Sequence, residues 1–199
     1  MKKFVLSIIL TVLMINLVAC GTESVNPEAD MVSYIKVLED GTIEGAIVED
    51  FGESYYDVEG LKSMIQDAIN EYNQKDITAG IKLISCELIE EQVKVILRYG
   101  SYRSYTGFNS RELFVGTVKE ASKLGYDLDV SMLGTGKASV KLSQDELLAL
   151  EKMKIVIAEE PIRVICYGNI DYYTESAALV GKKAVDMEHT QGYGVVLFE

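Results

Sequence analysis

The segment best suited to contact a ligand runs from residue 92 to residue 111. These twenty residues contain no Asp or Glu, although the chain has 31 acidic and only 19 basic residues. They hold three of the chain's four arginines, with tyrosines between them. Guanidinium groups pair with carboxylate or phosphate, and tyrosine rings offer a flat apolar face. The residues that we predict to contact a ligand are Arg98, Tyr99, Tyr102, Arg103, Tyr105 and Arg111.

A purely structural interpretation of the same segment stays open. The arginines would then pair with the chain's own acidic surface, and the tyrosines would pack in an extension of the neighbouring strand. The functional interpretation is supported by the position of the segment before a predicted helix start, where free amides favour an anion. It gives a non-enzymatic site for an anionic or glycan wall component, or for a protein partner.

Two further motifs resemble known sites only in part. Gly134-Thr135-Gly136-Lys137 resembles part of a phosphate loop. Such a loop would need Gly at position 131 and Ser or Thr at position 138, but the chain has Ser131 and Ala138, so we interpret the motif as a turn. His189 is the only histidine, so a zinc site built on histidines would lack its other ligands and a catalytic triad would depend on this single residue. We interpret His189 as an exposed loop residue. We therefore expect no cofactor and no metal site.

Carboxylates are abundant, and they permit an enzyme without specifying one. Seven acids lie between residues 40 and 59, and three more between 87 and 91. A glycosidase needs two acids that face each other across a cleft, which a sequence cannot show, and the calcium-binding spacing of an EF-hand is missing. We interpret these acids as a solvated face and name no catalytic residue. A cell-envelope hydrolase that uses a carboxylate pair is the alternative function.

The start of the chain has the pattern of a secretion signal. Met1-Lys2-Lys3 is basic, residues 4–18 are almost entirely apolar, and Leu17-Val18-Ala19-Cys20 follows. This resembles the lipobox of bacterial membrane lipoproteins. The resemblance implies cleavage before Cys20, a diacylglyceryl thioether on its sulfur, and a lipid-anchored protein on the extracytoplasmic face of the cell membrane. An uncleaved anchor is the alternative, although the apolar run is shorter than the roughly 20 residues that span a bilayer.

Composition limits the partners of the processed chain. Cleavage would remove two lysines and no acids, so the formal charge would move from −12 to −14. Such a charge disfavours binding to nucleic acid or to anionic lipid, because both depend on clustered Lys and Arg. We expect membrane attachment through the lipid on Cys20 alone. The chain then divides into a signal peptide (1–19), the lipidated cysteine with a flexible tether (20–30), and a single domain (31–199).

The two remaining cysteines, Cys86 and Cys166, lie in strand-like apolar runs. An extracytoplasmic compartment permits a disulfide between them. Sequence does not supply the geometry that a bridge requires, and a free cysteine often serves as a small buried hydrophobe. We favour two free thiols.

The order of predicted elements indicates an α+β domain. Two strand pairs, 32–39 with 42–50 and 81–89 with 92–99, flank a helix over 58–73 that Asp57 caps. This helix has an apolar stripe on which the second strand pair should pack, formed by Leu61, Met64, Ile65, Ala68, Ile69 and Tyr72. A second helix is predicted from residue 109 or 110 to Gly125, and a third from the capping box at Ser143 to about residue 154. Short strands follow at 155–158, 162–167, 184–187 and 193–198. The predicted fold is a mainly antiparallel sheet of several hairpins packed with about three helices.

Overall fold

The computed structural model describes residues 30–136 and 141–199. The predicted signal peptide, Cys20 and the tether up to residue 29 lie outside these ranges, as does Lys137. Within them the chain forms four helices and thirteen strands. The helices are α1 (Val58–Lys75), α2 (Tyr102–Asn109), α3 (Val118–Leu124) and α4 (Gln144–Ala149). The strands are β1 (Tyr34–Val37), β2 (Ile43–Asp50), β3 (Lys82–Ile89), β4 (Gln92–Tyr99), β5 (Leu113–Thr117), β6 (Met132–Gly134), β7 (Lys141–Leu142), β8 (Lys154–Ala158), β9 (Arg163–Ile165), β10 (Ile170–Thr174), β11 (Ala178–Gly181), β12 (Ala184–Asp186) and β13 (Gly194–Phe198).

The strands form two sheets. Sheet one has the order β11-β12-β9-β1-β2-β4-β3, and sheet two has the order β5-β8-β13-β10-β6-β7. Every described pairing is antiparallel except that of β1 with β9. The predicted α+β class with mainly antiparallel strands is confirmed. The strands are divided between two sheets, however, where the sequence led us to expect one.

The local signals in the first half of the domain are confirmed. Gly41 has a φ of +82° in the β1–β2 hairpin, a conformation that glycine adopts without strain. Asp57 caps α1, because its Oδ1 accepts a hydrogen bond from the Glu59 amide at 3.1 Å. Strands β3 and β4 form the second predicted hairpin, and α1 packs on β3.

The core lies between the two sheets. The largest apolar cluster combines Val95 and Leu97 of sheet one with Val156 and Val196 of sheet two. A second cluster packs α3 and α4 on the outer face of sheet two, so β8 and β13 are buried on both faces. All buried members of the core clusters follow residue 33, so a chain that starts at residue 21 keeps the whole described core.

The predicted second helix is wrong in its first half. Residues 113–117 form β5, which pairs with β8, and helix α3 begins only at Val118. Thr117 and Glu120 form the capping box that sets this start. A short apolar run is compatible both with a buried strand and with a helix. Here the strand is favoured because residues 113–117 can pair with the edge of β8.

Three smaller predictions also differ from the structure. Residues 102–109, which we assigned to no helix, form α2. Helix α4 ends at Ala149 with Leu150 as its C-cap, and residue 154, where we predicted its end, is the first residue of β8. Strands β6, β7, β10 and β11 were missed. None of the helices in the described ranges is both long and apolar enough to cross a membrane.

Candidate functional site

The six residues predicted to contact a ligand are spread over three elements. Arg98 and Tyr99 end β4, Tyr102, Arg103 and Tyr105 lie on α2, and Arg111 lies in the loop before β5. Successive residues of a strand point to opposite faces of the sheet. The structure therefore does not bring all six side chains to one surface.

Tyr99 and Tyr105 belong to the core. Their exposed fractions are 1% and 5%, and their rings meet edge to face with centroids 5.0 Å apart. The Tyr99 hydroxyl donates to Asn109 Oδ1 at 3.3 Å, and the Tyr105 hydroxyl donates to Glu160 Oε2 at 3.2 Å. Burial raises the pKa of Tyr99 to about 12 and that of Tyr105 further. Both rings position α2 against β4, and neither is accessible to a ligand.

Two of the three arginines have partners within the chain. Arg98 Nη2 lies 2.6 Å from Glu44 Oε2, and Arg111 Nε lies 3.7 Å from Glu160 Oε1. These pairs match the structural interpretation of the segment. Arg103 is exposed, its guanidinium lies 5.0 Å from the centre of the Tyr102 ring, and it forms no ion pair with any residue that the structure describes.

Tyr102 and Arg103 line a shallow cavity of about 340 Å³ beside α2. Across it, the Tyr126 hydroxyl donates to Glu112 Oε1 at 2.5 Å. Burial and the Glu112 carboxylate raise the pKa of Tyr126, so the phenol stays protonated. This cavity brings together two of the six predicted residues. It also places a carboxylate beside Arg103, which weakens the attraction of this surface for an anion.

A second cavity is an apolar groove between α1 and sheet one, with a volume of about 590 Å³. Its floor is formed by Val93, Val95 and Leu97 of β4. The antiparallel register places Ile47 of β2 opposite Val95, and so on the same face of the sheet. The groove is lined almost entirely by hydrophobic side chains along its length.

Helix α1 forms the wall of this groove with the apolar stripe that the sequence shows. Of the predicted stripe, only Ile69 is buried, while Leu61 and Ile65 are half-buried and Met64 is 70% exposed. The N-terminal half of the helix therefore leaves part of the apolar face of the sheet uncovered. The spacing of the stripe predicts a packing face, but no local pattern shows that a gap remains between this face and the strands opposite.

The ends of the groove are formed by aromatic and polar residues. Phe51 and Tyr56 stack at one end, with ring centroids 4.6 Å apart. Phe108 and Asn109 of α2 line it as well, so α2 borders both this groove and the cavity beside Arg103. The only charged residues among those that line the described groove are Glu49 and Asp50.

A third cavity, of about 860 Å³, opens at the end of sheet two. Asp171 lines it, and its Oδ2 is buried without a hydrogen-bond partner among the described residues. Burial, and after it the charge of Glu199, raises the pKa of Asp171. Thr135 lies beside it in a bend that follows β6, and its amide donates to the Asp171 carbonyl at 2.8 Å.

The remaining sequence predictions for reactive residues concern Cys86, Cys166 and His189. Both cysteines are free thiols, as predicted, with Cys166 buried and Cys86 half-buried. Burial raises the pKa of both thiols, that of Cys166 to about 12, so neither is an activated nucleophile. His189 is exposed in the loop before β13, as expected.

No protein family, curated protein or solved structure matches this chain. Any assignment of function therefore depends on the geometry of its own cavities. Among the described residues, no three His, Cys, Asp or Glu side chains are grouped as a metal ion would require.

Proposed function

We propose that this protein is a non-enzymatic, lipid-anchored binding protein of the cell envelope, whose ligand site is the apolar groove between α1 and sheet one. The observation that carries the proposal is that a cavity with a floor of core residues separates α1 from β2 and leaves Ile47 and Met64 on its sides exposed. Its volume of about 590 Å³ lies within the range of about 300 to 1,000 Å³ that is typical of sites for small ligands.

Hydrophobic transfer would supply most of the affinity. The accessible apolar surface of the groove comes mainly from Ile47, Tyr56 and Met64, which are 41%, 44% and 70% exposed. A ligand that displaces water from this surface gains roughly 25 cal/mol per Å² of apolar area buried. The stacked pair of Phe51 and Tyr56 offers a flat aromatic surface at one end. The preferred ligand is therefore a molecule with an apolar portion long enough to lie along α1.

The anchor is the second part of the proposal. The lipobox-like residues Leu17-Val18-Ala19-Cys20 support cleavage before Cys20 and attachment of lipid to its sulfur. Intact-mass analysis of the membrane-bound protein should give a chain that begins at Cys20 and carries acyl groups. A chain that still begins at Met1 without added lipid would refute this part.

The groove can be tested by displacement of a dye whose fluorescence rises in apolar surroundings, on the chain from residue 21 onward. We expect the dye to bind the original chain and the Ile77→Glu control, since Ile77 is 89% exposed and does not line the groove. Met64→Glu places a charge on the groove wall and should abolish most binding. Equal dye binding by both variants would refute the groove as the site.

A hydrolase is the second candidate function, and the carboxylates in the cavity at the end of sheet two favour it. Asp171 holds a proton to higher pH than an exposed Asp does, as a general acid requires, and Glu199 lines the same cavity. Asp171→Asn should then abolish the release of sugars or peptides from cell-wall preparations. If the original chain releases nothing from them, this candidate is excluded for those substrates.

A further inference from the structure

We propose that the ligand of the apolar groove is an amphiphile with a cationic head group and an aliphatic tail. This inference depends on the proposed function, because it assigns the ligand class of the same groove. We call the end of the groove where Phe51 and Tyr56 stack the groove mouth. The inference follows from three of its features: the acids there, the stacked aromatic pair, and the absence of a Lys or Arg from the described lining.

The acids at the mouth are not neutralised by the protein. Glu49 and Asp50 line the groove, and Glu91 adjoins it next to Gly52. In residues 30–136 and 141–199, none of these carboxylates is within ion-pair distance of a Lys or Arg. A cation bound there would meet negative charge that is otherwise balanced only by solvent ions.

The aromatic pair of Phe51 and Tyr56 lies close to Asp50, one of the acids at the groove mouth. The pKa of Tyr56 is raised first by its neighbour Tyr55, and the charges of Glu53 and Asp50 add to this rise. Asp50, which also lines the groove, is therefore within electrostatic range of this ring. The faces of Phe51 and Tyr56 can also attract an ammonium group directly, as aromatic rings do in sites for quaternary amines.

Among the described residues that line the groove there is no Lys or Arg that could favour an anion. The amino end of α1 is capped by Asp57 and carries Glu59 in its first turn. Lys62 of α1 is within electrostatic range of Cys86 on β3, the edge strand that β4 separates from β2. A second copy of this acidic chain is disfavoured as the occupant, because like charges would meet at the groove mouth.

Three compounds with the same ten-carbon tail separate the contribution of the head group from that of the tail. Decyltrimethylammonium, decyl maltoside and decanoate would compete with the dye on residues 21–199, each below its micelle concentration and at low salt. We expect decyltrimethylammonium to bind about three- to tenfold more tightly than decyl maltoside, from two exposed ion pairs. Decanoate should bind most weakly, and high salt should remove the differences.

Matched variants locate the charge effect. Glu49→Gln combined with Asp50→Asn should lower the affinity for decyltrimethylammonium to that for decyl maltoside, while the affinity for decyl maltoside stays unchanged. The control replaces the adjacent acids Glu39 and Asp40, which are exposed at the opposite end of β2, by Gln and Asn. That control should keep the full preference for the cation.

The possible failures are distinguishable. If no decyl compound displaces the dye, or if Met64→Glu leaves their binding unchanged, the proposed function fails together with this inference. If all three compounds bind equally and Met64→Glu abolishes their binding, the groove is supported as the ligand site and the cationic ligand class is refuted. A dimer in sedimentation velocity that becomes a monomer in Met64→Glu would assign the groove to a second copy and also refute it.

Discussion

Replacing Tyr105 by Phe should destabilise the protein to a degree that depends on pH. The Tyr105 hydroxyl is buried and donates to Glu160 Oε2, while Arg111 lies near the other carboxylate oxygen. A hydrogen bond to a charged group contributes about 1.5–3 kcal/mol, whereas a neutral one contributes about 0.5–1.5 kcal/mol. We therefore expect the free energy of unfolding to fall by about 2 kcal/mol at pH 7.5, and by less when Glu160 is protonated.

The direction of the pH effect follows from the pKa of Glu160. Burial raises this pKa, and the hydrogen bond from Tyr105 and the charge of Arg111 partly oppose the rise. Folded Glu160 thus keeps its proton to higher pH than in the unfolded chain, where its pKa is about 4.3. Stability is lost as pH rises through the folded pKa. Tyr105→Phe removes a hydrogen bond that lowers the pKa of Glu160, so that pKa rises further in the variant. The variant therefore loses more stability than the original chain as the pH rises and Glu160 ionises.

Urea unfolding followed by far-UV circular dichroism at pH 4 and at pH 7.5 measures both effects. The matched control is Tyr99→Phe, which removes a hydroxyl bonded to the neutral amide of Asn109 at 3.3 Å. It should cost about 1 kcal/mol at either pH. If Tyr105→Phe costs the same at both pH values, or no more than the control, the argument about Glu160 is refuted.

Three further predictions concern local structure and thiol chemistry. Gly41→Ala should cost about 1 kcal/mol, because φ is +82° there, and an unchanged urea midpoint would contradict this. Thr117→Ala removes the hydroxyl of the capping box with Glu120 and should lower the free energy of unfolding by about 1 kcal/mol, as measured by the same unfolding assay. Thiol titration of the chain from residue 21, without reductant, should find one accessible thiol at Cys86 in the folded state and a second at Cys166 only after denaturation. A single thiol, or none, in the denatured chain would contradict the last prediction.

Much of the fold could be predicted because its signals are local. The turn at Asp40-Gly41, the cap at Asp57 and the capping box at Ser143 act within a few residues, and the structure confirms each. The prediction failed at residues 113–117, where strand and helix fit the apolar pattern equally well and pairing with β8 decides. Such pairing joins residues that are distant in the chain, so no local pattern reports it.

The candidate site was predictable only in part. The sequence showed the unusual composition of residues 92–111, and α2 in this segment does border two of the cavities. It could not show that Tyr99 and Tyr105 turn into the core or that Arg98 reaches Glu44 across β2 and β4. The groove itself joins residues of α1, β2 and β4, and no single segment carries its signature.

What the sequence determined by itself is what composition and short spacing control: a strongly acidic chain, the lipobox-like start that predicts an anchor at Cys20, the α+β pattern, and the apolar stripe on α1. Tertiary structure decided which apolar residues became core and which remained accessible. The N-terminal half of α1 and the face of β2 and β4 are both apolar, yet they do not close on each other. Whether two such surfaces meet depends on the relative positions of a helix and a sheet, which the packing of the whole chain sets.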